Sequence, residues 1–189
     1  MRSIALAMLL ALPLPAAATP FCDQLWITRN MMFHRAGHCF SSTLGQQLFG
    51  NAGCTGTNPA LPAADREAVA RMRELELQTG CRIDTGRGPS AGQRQIHAKL
   101  ARLIDLPEPD EFGYACWGYH GAGFTLHAGT SVASPLIGVA QTRQSLFYGY
   151  HRKNGWHYIE VSNGPGTPVV AEGWAPVIPA PGMCDLEAG

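Results

Sequence analysis

The stretch LFYGYHRKNGWHYIEV, residues 146–161, decides the class of the C-terminal half. Leu146 to Tyr150 and Trp156 to Val161 are short runs rich in aromatic and β-branched side chains, and Lys153-Asn154-Gly155 between them is a hairpin turn signal. Side chains alternate between the two faces of a strand. Ile159 and Val161 therefore lie opposite Trp156 and Tyr158. If Ile159 faces an interior, Trp156 and Tyr158 form either an exposed aromatic ligand-binding surface or an interface covered by the rest of the chain. Working outward, Phe124 to Leu126 is another strand-like run, and Asn163-Gly164-Pro165-Gly166 is a second turn. Several short strands separated by turns in about 65 residues predict a small barrel.

Upstream the period changes to that of helices. Asp23 is placed to cap a helix through Leu25 and Trp26 to Phe33, with Gly37 ending it. Thr43 is placed to cap a short helix carrying Leu44 and Leu48. Pro62 opens a long one in which Ala68, Met72 and Leu75 recur at helical spacing, Glu67 and Arg71 form an i,i+4 pair, and Gly80 follows as a C′ glycine. Ser90 begins a fourth, with Ile96, Leu100 and Leu103 on one stripe. The prolines of LPEPDE, residues 106–111, end it and predict a linker. The fold class is thus α+β, a helical domain over 22–106 followed by a β-barrel domain over 112–184.

The first residues predict export. Arg2 is a basic start, Ile4 to Leu14 is an uncharged apolar run, and Ala16-Ala17-Ala18 is a small-residue cleavage site, together the three parts of a signal peptide over 1–18. The run is too short for a bilayer core, which needs roughly 20 helical residues. Pro13 and Pro15 argue against a buried core helix. Thr19-Pro20-Phe21 before Cys22 is not a lipidation context. The expected product is a soluble periplasmic or extracellular protein with no membrane insertion after cleavage.

All six cysteines lie beyond residue 18, an even number that predicts three structural disulfides in an oxidising compartment. No C-x-x-C pair occurs, so neither a zinc ribbon nor a thioredoxin-type centre is indicated. Fifteen pairings are open. The layout favours Cys39–Cys54 around a short loop, with Cys22–Cys81 and Cys116–Cys184 tying the ends of each half. Without Arg2, 13 basic residues stand against 14 acidic ones. So near neutrality, the chain has no electrostatic reason to bind nucleic acid or an anionic membrane.

The C-terminal half resembles bacterial SH3-like domains over roughly residues 112 to 178. Those domains carry L-R-x-G-P-S and then V-I-G, where this chain has Leu126-His127-Ala128-Gly129-Thr130-Ser131 and Pro135-Leu136-Ile137-Gly138. Their G-W-x-x-V strand corresponds to Gly155-Trp156-His157-Tyr158-Ile159, and their closing G-W to Gly173-Trp174. The resemblance implies a barrel interior of Leu126, Ile137, Ile159 and Val177. His127 and Thr130 depart from the usual arginine and proline, and Ser134 stands where an aromatic is frequent, a last change that weakens transfer of a peptide-binding surface. Residues 22 to 81 resemble the YARHG domain of bacterial extracytoplasmic proteins. Its R-N-x-x-Y-A-R-H-G-Y-x-F hallmark stands here as Arg29-Asn30-Met31-Met32-Phe33-His34-Arg35-Ala36-Gly37-His38-Cys39-Phe40. The whole resembles an uncharacterised family of secreted alphaproteobacterial proteins.

Catalytic signatures are weak. His34 and His38 have zincin spacing, but the glutamate general base is missing and Gly37 ends the helix. His120, His127, His151 and His157 lack ligand spacing, so no metal and no cofactor is expected. Gly129-Thr130-Ser131-Val132-Ala133 lacks the second glycine of a nucleophile elbow, and GYHGAG at 118–123 lacks the lysine of a phosphate loop. The expectation is a non-catalytic extracytoplasmic binding protein. Its ligand would be cell-envelope material such as a peptidoglycan peptide, or an envelope protein partner, at Trp156 and Tyr158. A small secreted envelope hydrolase and a structural accessory subunit are the alternatives.

Overall fold

Thr19 opens the first helix, α1 (Pro20–Arg35): its hydroxyl accepts the Cys22 amide hydrogen bond at 3.3 Å, and Pro20 at the first helical position gives up no intrahelical bond. The computed structural model describes residues 19–189, so the leader expected at 1–18 lies outside the described residues. Asp23, expected as the cap, sits in the first turn and accepts a 2.7 Å hydrogen bond from Gln93. α2 (Thr43–Phe49) is capped by Ser42 rather than Thr43. α3 (Ala63–Gln78) starts after Pro62, and Gly80 follows its end with φ +66°. α4 (Ala91–Ala101) carries a capping box between Ser90 and Gln93 and stops short of Leu103.

The remaining described residues form seven strands: β1 (Pro109–Trp117), β2 (Phe124–His127), β3 (Leu136–Ala140), β4 (Ser145–Tyr150), β5 (His157–Ser162), β6 (Val169–Ala175) and β7 (Leu186–Ala188). They make one antiparallel sheet in the order β3-β2-β6-β5-β4-β1-β7. The expected barrel closure is corrected: β3 and β7 are free edges, and the sheet is open. The outer edge of β1 is taken by the C-terminal β7, tethered there by Cys116–Cys184. Cys22–Cys81 and Cys39–Cys54 complete three disulfides with the pairings favoured by the layout.

Strand alternation divides the sheet between two cores. Leu126, Leu146, Ile159 and Val161 build one core within the C-terminal half, joined by Tyr119 from the loop after β1. Tyr158 and Trp174, on the opposite face, join Leu25, Ile27, Met31, Leu44, Met72 and Leu100 in a core shared with all four helices. Val177 packs against the strand core as expected, but Ile137 packs against the helical one. The register shifts between Leu126 and His127 against β3, and this irregularity accompanies the change of side for Ile137.

The linker expectation is also corrected. Leu106, Pro107, Glu108 and Pro109 are all buried. Leu106 belongs to the shared core, and Arg71 clamps the Glu108 carboxylate at 2.6 and 2.8 Å. The helical and strand halves are therefore fused through this segment.

Candidate functional site

The fusion leaves a cleft of about 410 Å³ between the halves. One wall is a stripe of α3: Ala64, Asp65, Ala68 and Arg71, at helical spacing. The opposite wall is His151, Arg152 and Lys153, in the β4–β5 connection just ahead of its turn. Asn154 (φ 52°) and Gly155 (φ +82°) form its two-residue turn, with Lys153 and Trp156 bridged on either side. Positive φ at both turn residues is the conformation that asparagine-glycine tolerates. Met32, Leu106 and Trp174 supply apolar lining.

Charges of both signs line this space. Arg71 is bidentate on Glu108, whose side chain is only 10% exposed. His151 reaches Asp110 at 3.3 Å and Glu108 at 3.9 Å. Lys153 lies 3.3 Å from Asp105, which also accepts from the backbone amide and hydroxyl of Thr130. Burial alone would raise the Asp105 carboxyl, but those Thr130 hydrogen bonds and Lys153 outweigh it and hold it below the ordinary carboxylate value. Asp105 in turn offers its carbonyl to the Trp174 indole at 2.9 Å. The hairpin, the α4–β1 segment and the floor are thus locked together. Arg152 is exposed and has no ion-pair partner among the described residues.

The aromatics singled out in the sequence do not form the site. Tyr158 is 2% exposed, its ring edge-on to Trp174 at 5.5 Å and to Tyr150 at 4.8 Å. Trp156 is half-buried, packs against the shared core and meets the His127 ring at 5.5 Å. Of the two arrangements open in the sequence, the structure has the covered one, because the helices lie over this sheet face. Tyr158 as part of an exposed ligand surface is corrected accordingly. The cleft residues were missed because Arg71 reads as a surface partner of Glu67. The available signal was the charged run His151-Arg152-Lys153 ahead of a two-residue turn, opposite a glutamate fixed between prolines.

Nor do the histidines assemble. His127 is hydrogen-bonded to Thr125 and to the Ser134 carbonyl, and His120 to Asp185, while His157 packs on Tyr148. No cluster of three histidine, cysteine or acidic residues suited to a metal occurs among the described residues. The two arginines and the asparagine of the R-N-x-x-F-x-R segment make structural contacts. Arg29 pairs with Glu76 of α3, Asn30 bonds the Trp26 carbonyl, and Arg35 caps the end of α4 through the carbonyls of Leu103 and Ile104. His34 and His38 pack on Phe40 instead of facing a common ligand. Gly37 (φ +90°) ends the segment, with Thr55 so close that a β-carbon would stand 2.6 Å from its hydroxyl.

Residues 3–77 match the YARHG domain, and residues 80–189 match a domain described as Domain of unknown function (DUF4453). The division falls ahead of α4, so α4 belongs with the sheet by sequence although it packs on α1. No curated protein and no solved structure matches the chain. Three disulfides and a YARHG domain fit an extracytoplasmic location, and no helix among the described residues is long and apolar enough to cross a membrane. By the match over more than half its length, the chain belongs to the DUF4453 family.

Proposed function

We propose that this is a non-catalytic protein of the periplasm or cell exterior that binds a short peptide carrying both charges. A peptidoglycan stem peptide or a segment of an envelope protein has that chemistry. The ligand sits in the interdomain cleft, not on Trp156 and Tyr158. The observation that carries this reading is the lining itself: Asp65, His151 and Arg152 around Met32, Leu106 and Trp174. Binding sites favour domain interfaces and combine apolar walls with a few placed polar groups. Strands β2 to β6 carry the SH3-like motifs, and in this reading they form an opened member of that class whose ligand side has moved to the helix-facing edge.

The cleft lining includes one histidine beside acids but neither a serine nor a cysteine, and all six cysteines are disulfide-bonded. That composition favours binding over the envelope-hydrolase reading. Purified sacculi and periplasmic extract, each incubated with wild type and with Arg152→Glu, test the proposal. Retention of wild type and at least a tenfold loss in the variant, with unchanged melting, is the expected outcome. Equal retention of both proteins overturns it.

A further inference from the structure

α3 presents a second stripe away from the cleft. Arg66, Val69, Ala70 and Arg73 recur at helical spacing, and with Phe33 and the loop Asn58 to Leu61 they bound a groove of about 500 Å³. Leu61, Val69 and Phe33 make its floor apolar, and among the described residues no acidic one lines it. Neither guanidinium has a carboxylate partner among the described residues. Both are nevertheless held in place. Arg66 donates to the Leu61 carbonyl at 2.8 Å, and the Arg73 guanidinium lies over the Phe33 ring, 5.7 Å from its centroid. A guanidinium seated on an aromatic face keeps its edge N–H groups free for a bidentate carboxylate.

We propose that this groove is a second binding site, for an apolar peptide segment bearing a carboxylate. The charge complementarity is one-sided: two arginines rim an apolar floor. The loop wall selects a peptide over an aliphatic acid. The exposed loop amides of Asn58 and Ala60 make no backbone hydrogen bond among the described residues, so an extended peptide finds donors to pair with there and an alkyl chain does not. Phe33 takes the tyrosine position of the YARHG hallmark. In this chain Phe33 acts as the platform that orients Arg73. The site is independent of the cleft, because Ala64, Asp65, Ala68 and Arg71 face elsewhere on the helix.

The full oxidised protein, labelled with nitrogen-15, is titrated with an acetylated leucine-rich pentapeptide ending in glutamate with a free α-carboxylate. Parallel titrations use the glutamine-ending amide of the same peptide, and decanoate. The expected result is saturable shifts at Val69, Ala70 and the Arg73 side chain with the acidic peptide only. Arg73→Gln should weaken this binding at least tenfold and Arg73→Lys less, because lysine keeps the charge but not the bidentate fork. Melting curves establish that both variants fold. Absence of saturable shifts, equal response to the neutral peptide, equal response to decanoate, or unchanged affinity in Arg73→Gln overturns the proposal.

Discussion

Glu160 of β5 and Glu172 of β6 are register partners, so two carboxylates stand side by side on the sheet face beneath α4. Their surroundings divide them. Glu172 takes Lys99 at 2.8 Å and Arg102 at 3.5 Å, whereas among the described residues Glu160 accepts only the Tyr150 hydroxyl at 2.8 Å. Burial pushes the Glu160 carboxyl above its ordinary value, and the neighbouring Glu172 adds to this against the pull of Tyr150 and Lys99.

A raised carboxyl pKa in the folded state means that folding takes up a proton. The stability it contributes is complete below the ordinary glutamate value and is lost as pH rises through the folded value. Glu160→Gln removes this loss while keeping an acceptor for Tyr150. The variant should melt higher than wild type at pH 8 and no higher at pH 4. A variant that melts lower than wild type at pH 8 would show that the Glu160 charge is stabilising.

Arg71 and Glu108 join α3 to the buried segment that precedes β1. Replacing Arg71 with alanine leaves a nearly buried carboxylate without its clamp. Because the outer part of Arg71 is in solvent, the expected loss is about 2 kcal/mol, below the 3–5 kcal/mol of a fully buried broken pair. Limited proteolysis of wild type should spare residues 106–111, and the same digestion of Arg71→Ala should cut there first. Ready cleavage of wild type at this segment would contradict the fused core.

Tyr158→Ala truncates a ring held between Tyr150 and Trp174 under the helices. Loss of a buried aromatic costs roughly 3–5 kcal/mol. For a chain of this size each kcal/mol lowers the melting temperature by about 2–4 °C. A drop on the order of 10 °C in a thermal melt is expected, with a smaller one for the half-buried Trp156→Ala. A melting temperature unchanged by Tyr158→Ala would mean that the helices do not cover this face.

Much of the architecture is written locally and much of the site is not. Ser90 and Gln93, Pro62, Gly80 and the Asn154-Gly155 turn act within a few residues, so the starts of α3 and α4 and the hairpin are legible from sequence. The caps of α1 and α2, by contrast, fall on Thr19 and Ser42 instead of Asp23 and Thr43. The alternation that sets Ile159 against Tyr158 is equally local, and it holds. What it cannot state is which face meets another element. Tyr158 looks the same in sequence whether helices or solvent lie above it. LPEPDE has linker composition, yet Pro107 and Leu106 are apolar enough to fill a seam once Arg71 compensates Glu108 from 37 residues away. The sheet stays open with β7 on its outer edge, and the three residues Leu186 to Ala188 carry no pattern of their own. The cleft is a meeting of α3, the 105–110 segment and a hairpin, each ordinary alone.

The central claim is that a peptide carrying both charges binds where those three pieces meet. A nitrogen-15 NMR titration with soluble peptidoglycan fragments tests it most directly. Saturable shifts should appear at Asp65, Ala68, His151, Arg152 and the Trp174 indole, and should disappear in Arg152→Glu. Shifts confined to the sheet edges β3 and β7, or none at millimolar fragment together with none for envelope-protein peptides, would contradict it.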